Sequence, residues 1–344
     1  MADYDALLVV SFGGPEGPDE VIPFLENVLR GRNVPHERLL QVAEHYDRFG
    51  GVSPINAQNR TLIAALEREF TEHHVNLPIY WGNRNWHPLL PDTIRQMKTD
   101  GVQRALAFIT SAYTSYSNCR QYLENIAEAR RIVGNEAPIV DRLRGYFNHP
   151  GFIAATVDRV NLAINRIDPE NREQAALVFT AHSIPQAMAA GCTYEAQLKE
   201  VARLVGDAVG HSKWTFAYQS RSGPPTQSWL EPDIRDHLRS LHIQSGVTDV
   251  VIVPIGFLSD HMEVIYDLDV EARAVCDEIK VQMVRAETVG THPLFVGMIR
   301  ALIEERLYGR PERSSIGRMN PLPDVCADGC CPSGRPETTG QRRG

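Results

Sequence analysis

Short apolar runs separated by amphipathic stretches decide what this chain can fold into. Ala6-Leu7-Leu8-Val9-Val10-Ser11-Phe12, Leu77 to Trp81 and Ala105 to Ile109 form one series, and Ala176 to Thr180, Thr215 to Tyr218 and Val250 to Ile255 form a second. Each is a few residues long and continuously apolar, the pattern of a strand covered on both faces. The stretches Asn59 to Phe70, Gln121 to Val133, Phe152 to Ile167 and Tyr194 to Val209 repeat their apolar residues at helical spacing. Alternation of this kind predicts an α/β fold, with parallel sheets between helical layers. Two series predict two Rossmann-like, doubly wound halves with a cleft between them, residues 1–148 and 149–310. The last helix, Pro293 to Tyr308, is expected to cross back over the first half. Residues 311–344 are rich in Pro, Gly, Ser and Arg and carry cysteines, so a poorly ordered tail is expected.

The chain has 344 residues, enough for such halves, and is 43% hydrophobic and 23% charged, as soluble globular proteins are. A net charge of −8 argues against nucleic acid as the main partner. No run approaches the ~20 apolar residues of a membrane span. Met1-Ala2-Asp3-Tyr4-Asp5 lacks the basic start of a signal peptide, so a cytoplasmic location is expected. The Gly13-Gly14 turn lacks the G-x-G-x-x-G spacing, and no phosphate-binding Gly-rich Lys-Ser/Thr loop occurs, so no nucleotide is expected. Cys119, Cys192 and Cys276 are scattered through the body, whereas Cys326, Cys330 and Cys331 cluster near the end. A cytoplasmic chain does not rely on disulfides, which leaves the cluster as part of a metal site or as incidental tail cysteines.

Chemistry concentrates at three strand ends of the second series. Ser259-Asp260-His261-Met262-Glu263-Val264-Ile265-Tyr266-Asp267-Leu268-Asp269-Val270-Glu271 follows the run that ends at Ile255. In a helix, Glu263, Asp267 and Glu271 share one face, and like charges stacked that way cost a few tenths of a kcal/mol per pair. Such a ridge is either a solvated acidic face or a device for a cation or a proton relay. Phe179-Thr180-Ala181-His182-Ser183-Ile184-Pro185 places a histidine just past a strand, and Tyr218-Gln219-Ser220-Arg221 leads on to Trp229-Leu230-Glu231-Pro232 at another. Open α/β sheets bind ligands at such strand ends. An imidazole facing carboxylates suits a divalent metal or proton abstraction from nitrogen.

These three motifs resemble the ferrochelatase family, enzymes that insert ferrous iron into a porphyrin. The first half agrees through Ser11-Phe12-Gly13-Gly14-Pro15, Gly50-Gly51-Val52-Ser53-Pro54-Ile55 and Trp81-Gly82-Asn83-Arg84-Asn85-Trp86-His87-Pro88. The resemblance runs from about residue 5 to 310. It implies a lyase of haem biosynthesis whose two halves surround a porphyrin cleft, with haem-pathway enzymes as further partners. His182 and Glu263 match the family's active-site pair, acting as proton acceptors or iron ligands. Asp267 and Glu271 extend an acidic path for metal or protons. Phe12 stands where some relatives carry a metal-touching tyrosine, and phenylalanine cannot ligate. Arg84 and Asn85 match residues lining the distal face, and Tyr46, Ser53, Tyr113, Ser115 and Tyr122 are candidates to bind porphyrin carboxylates.

The entrance Pro18 to Glu44 is mixed and fairly polar, with Arg30 and Arg32. The segments Phe12 to Pro54 and Ser111 to Tyr116 look most like the actinobacterial branch, whose substrate, coproporphyrin III, carries four propionates and yields coproheme. A protoporphyrin IX enzyme giving protohaem is the alternative, followed by a cobalt or sirohydrochlorin chelatase and a non-catalytic tetrapyrrole carrier. Cys326, Cys330 and Cys331 resemble the C-terminal [2Fe–2S] ligands of some relatives. The fourth ligand of animal enzymes falls on Ala155, which makes Cys192 the first substitute, ahead of Cys119 and Cys276.

Overall fold

The computed structural model describes residues 4–31, 34–211, 213–224 and 226–334. Arg32, Asn33, Pro225 and residues 335–344 of the expected tail lie outside the described residues.

Two four-stranded parallel sheets form the frame. The first comprises β1 (Ala6–Ser11), β2 (Ile79–Asn83), β3 (Arg104–Ile109) and β4 (Ile139–Arg142), in the order β2-β1-β3-β4. The second comprises β5 (Ala176–His182), β6 (Trp214–Gln219), β7 (Asp249–Val253) and β8 (Gln282–Arg285), in the order β6-β5-β7-β8. The two orders are equivalent. In each sheet the first strand is flanked by the next two, so the chain reverses direction across the sheet at β1 and at β5. The loops leaving these strands therefore open at the topological switch points where ligands bind in such sheets. The strands β1 and β7 are buried along their whole length, as continuously apolar sequences between helical layers must be.

A common core fixes the halves relative to each other. Phe295, on the helix Pro293–Leu307, packs with ring centroids 6.2–6.3 Å from Phe108 and Tyr146 of the first half and from Phe152. Arg300 on the same helix donates to Glu69 of the helix Ile55–Glu72 at 2.8 Å. Near its end, Glu305 accepts from Arg144 Nε and Nη2 at 2.8 and 2.9 Å. The two side chains are 6% and 1% exposed, which makes this a bidentate ion pair inside the protein.

The tail differs from expectation. Among the described residues, 311–334 contain no helix or strand, yet they form a strap against the body. Arg144 donates to Ser314 O, Asn148 to Met319 O, and Arg142 to Pro323 O and Asp324 O, at 2.8–3.0 Å. Leu322 covers Gly145, where a Cβ would come within 2.4 Å of it. A segment too polar to build its own core is thus held because buried body side chains satisfy its carbonyls.

Candidate active site

The sequence Ile265–Ala272 forms a π-helix, entered through a short helical turn, Met262–Val264, that His261 caps by accepting from Glu263 N at 3.2 Å. π-Helical turns are rare and are frequently found at functional sites. Glu263, Asp267 and Glu271 each meet a different partner on it, which offsets the repulsion of the ridge. Glu263 Oε1 lies 3.8 Å from His182 Nε2. Asp267 accepts a short hydrogen bond from Ser220 Oγ, at the end of β6. Glu271 Oε1 lies 3.5 Å from Arg235 Nη1. Neighbouring Asp269 pairs with Arg285 of β8, which also holds Asp260, at 2.7–2.8 Å.

His182 is the last residue of β5, at the switch point of the second sheet. Its Nδ1 contacts the Ser183 carbonyl, an acceptor only, so Nδ1 carries the hydrogen and donates. In the neutral ring that leaves the Nε2 lone pair facing Glu263. Behind them, burial pushes the Asp267 carboxyl up to about 7, reinforced by the charges of Glu263 and Glu271 and opposed by the Ser220 bond. Burial also lowers the His261 imidazole. Gln219 Nε2 donates to Glu263 O at 2.8 Å and fixes the turn from below.

The first half packs against this segment. Gln58 exchanges two hydrogen bonds with the backbone of Asp260, at 2.8 and 3.1 Å. His45 stacks on Tyr266 with centroids 3.8 Å apart and planes at 10°. Tyr46, next to it, packs edge-on against Phe24 at 6.0 Å and faces the charge of Glu263, which together with burial pushes its hydroxyl well above the usual phenol range. Phe12 leaves β1 at the other switch point. The Arg84 guanidinium lies over its ring at 5.7 Å and over Tyr122 at 4.4 Å. Asn85 N donates to Phe12 O at 3.0 Å. Ser53 is buried beside Gly14, where a Cβ would come within 2.7 Å of Ser53 Cβ, so only glycine lets this loop lie flat.

Two expected carboxylate binders are engaged elsewhere. Tyr113 is 2% exposed and donates to Ile255 O at 2.9 Å. Ser115 is fully buried, and its Oγ accepts from Asn118 N at 3.1 Å as the cap of the π-helical turn Tyr116–Arg120. Both serve the core, as tyrosine and serine next to a strand end commonly do. The structure also revises the cysteine order. Arg142 Nη1 donates to Cys119 Sγ at 3.0 Å and Nη2 to Cys326 Sγ at 2.9 Å, whereas Cys192 Sγ donates to Met188 O and Ala189 O at 3.4 and 3.5 Å. Cys119, not Cys192, therefore sits against the first terminal cysteine. Cys276 is buried against the helix–sheet core of the second half.

Ser220, Gln219, His261, Tyr266, Gln58 and Arg285 complete the site, although sequence reasoning did not single them out. All but Gln58 and Arg285 lie within motifs already recognised. Among the described residues, the one set of three or more acidic, His or Cys donors whose ligand atoms all lie within 4.8 Å is Glu69, Glu72 and His73, on a helix surface. His182, Glu263, Asp267 and Glu271 are thus spread along the π-helix and its entry, not gathered into a closed cage.

The model of the ferrochelatase family matches residues 4–307. The chain belongs to the ferrochelatase family. A ferrochelatase of Rhodopirellula baltica is 56% identical, over 96% of this chain and 94% of its own length. A coproporphyrin III ferrochelatase of Streptomyces griseus is 51% identical, over 98% of this chain and 95% of its own. Among solved structures, SirB from Bacillus subtilis with Fe3+ superposes with a TM-score of 0.55 at 14% identity, over 90% of this chain and 98% of that one. At that identity the likeness concerns the fold alone. Among the described residues no helix is long and apolar enough to cross a membrane.

Proposed function

We propose that the protein inserts ferrous iron into coproporphyrin III, with His182 and Glu263 as the reacting pair. The observation that carries this reading is the 3.8 Å approach of His182 Nε2 to Glu263 Oε1 at the switch point of the second sheet. Insertion must strip two pyrrole N–H protons while iron sheds its water. The free lone pair of His182 accepts a proton from one face of the macrocycle, and Glu263 takes it on or steadies the metal. Asp267, with Ser220, and Glu271, with Arg235, continue the path away from the cleft. Phe12 closes the opposite wall without offering a ligand.

Choice of porphyrin is supported by Tyr46, Arg84 and Ser53 along the first-half wall and by the names of several relatives about half identical to this chain. Coproporphyrin III presents four propionates and protoporphyrin IX two, and a hydrogen bond to a charged group contributes ~1.5–3 kcal/mol. Anaerobic turnover with Fe2+ should therefore give a kcat/KM at least about tenfold higher for coproporphyrin III, since ~1.4 kcal/mol is tenfold. Faster turnover of protoporphyrin IX would overturn the choice. As part of the same reading, the terminal cysteines hold a [2Fe–2S] cluster.

The titration of Asp267 gives a second test. Above about pH 7 it is ionised and accepts a proton from Glu263; below, it is already protonated and the relay is blocked. Turnover should rise with pH through about 7, and Asp267→Asn should lose that limb. The folded value is raised from 3.8, so the native state binds more protons than the unfolded chain between these values and stability falls as pH rises. At ~1.4 kcal/mol per unit, the Asn variant should be more stable than wild type at pH 8 by at most about 4 kcal/mol in urea denaturation, the gain shrinking at pH 5. Lower stability at pH 8 with an unchanged pH–rate profile would remove Asp267 from the path.

A further inference from the structure

The turn that carries Glu263 is held from both halves of the molecule. Within the second half, Glu263 N donates to His261 Nδ1 at 3.2 Å, and Glu263 O accepts from Gln219 Nε2 at 2.8 Å. The Asp260 carboxylate accepts from Arg285 Nη1 at 2.7 Å. Both backbone groups of Asp260, by contrast, go to one side chain of the first half, Gln58 on the helix Ile55–Glu72. Gln58 Oε1 accepts from Asp260 N at 2.8 Å and its Nε2 donates to Asp260 O at 3.1 Å. The amide thus pairs with the backbone as opposite residues of an antiparallel ladder do.

The other end of this tie is fixed as well. Asn56, two residues before Gln58, is fully buried, and its Nδ2 donates to Gly14 O and His87 O at 3.1 Å. Its Oδ1 accepts from Asn83 Nδ2 at 3.3 Å, and Ser53 N donates to Pro15 O at 2.8 Å. The start of the helix is therefore locked to the loops that leave β1 and β2, which carry Phe12, Arg84 and Asn85. Gln58 joins those loops to the turn of Glu263, three residues past Asp260.

We propose that Gln58 is a positioning residue for iron insertion, whose paired bonds to Asp260 set the distance of the His182–Glu263 pair from the Phe12 side of the molecule. This rests on the reading that the pair reacts on a porphyrin lying between the two. A macrocycle resting on the Phe12 side presents its nitrogens to the pair only while that spacing holds, and a misplacement of ~1 Å can cost ~10²-fold in rate. Glutamine suits the task because its amide offers a donor and an acceptor side by side. His45, stacked on Tyr266 three residues past Glu263, is a second contact from the first half, so losing Gln58 loosens the turn without detaching it.

The test applies anaerobic turnover, porphyrin fluorescence titration and urea denaturation to the full chain carrying Gln58→Ala or Gln58→Glu. Gln58→Ala is expected to lower kcat by about 10–100-fold and to leave the porphyrin Kd nearly unchanged. At about pH 8 Gln58→Glu should be impaired alike, because a carboxylate accepts from Asp260 N but cannot donate to Asp260 O. Once protonated, the same carboxyl donates and accepts as the amide does. The Asp260 carbonyl and the charge of Glu263 raise its pKa above the ordinary ~4.3. Its rate relative to wild type at the same pH should therefore recover between about pH 8 and pH 5, while that of Gln58→Ala stays flat. Taking the ratio at each pH cancels the titration of Asp267. A wild-type kcat in folded Gln58→Ala, even with a lowered urea midpoint, would make Gln58 a structural tie only and overturn the proposal. Where Gln58→Ala does not fold, a Gln58→Glu ratio that is flat with pH would overturn it. Wild type that inserts no iron would overturn the underlying reading, a failure seen without any variant.

Discussion

His182→Ala is expected to reduce kcat for iron insertion by about 10²–10⁴, the usual contribution of a positioned acid or base, and to leave porphyrin affinity nearly unchanged. The separation of effects follows from the geometry. His182 closes β5 with its ring held through Nδ1 on Ser183, so removing the ring takes away a lone pair facing Glu263 and little else. On the proposed reading the porphyrin is still held between the Phe12–Arg84–Tyr122 wall and the π-helix. Glu263→Gln should be similarly impaired, and the double variant hardly worse than either single one, because groups that act as a unit are not additive. Anaerobic turnover and porphyrin fluorescence titration measure the two quantities independently. A His182→Ala enzyme near the wild-type rate would remove this pair from the reaction.

The central strands were legible because burial on both faces leaves an unbroken apolar run, as in Leu7 to Val10 and Val250 to Val253. Of the four edge strands, β2 and β6 were also legible, whereas β4 and β8 were not. Ile139-Val140-Asp141-Arg142 and Gln282-Met283-Val284-Arg285 are short and half polar, since an edge has one neighbour and its outer residues meet water or ion pairs. Asp141 and Arg285 are occupied in such pairs. The acidic spacing was read on an α-helix, and its π-helical form has no signature in residue types. The partners of Asp267 and Glu271 lie far off in sequence, Ser220 just past β6 and Arg235 in the first turn of the helix Ile234–Ser245. The same limit explains Tyr113 and Ser115, whose residue types suit a ligand as well as a core hydrogen bond. It also explains Cys119, which meets Cys326 only after the strap folds back. The strap itself was misread because composition reports what a segment can bury on its own, whereas Arg142, Arg144 and Asn148 hold it from outside.

That outside support makes the buried Arg144–Glu305 pair a sensitive point of the scaffold. Arg144→Met is expected to destabilise the fold by about 3 kcal/mol, and Glu305→Met by up to about 5, the range for breaking a buried ion pair from one side. The asymmetry has a structural cause. Without Arg144, Glu305 keeps Arg313 at 3.1 Å. Without Glu305, the guanidinium of Arg144 stays buried with only the carbonyls of Ser314 and Gly145. The double Met variant should recover much of the loss, because two apolar chains of similar volume leave no uncompensated charge inside. Burial raises the Glu305 carboxyl, but the Arg144 bonds outweigh it and hold it below its ordinary value of 4.5. The sign is therefore that of a depressed acid. Its stabilisation is complete above pH 4.5 and is lost as pH falls through the lower folded value. Urea denaturation of the two single variants and the double at pH 7, repeated below pH 4.5, measures both effects. Equal stability of wild type and Glu305→Met at pH 7 would mean that the strap and last helix are held without this pair.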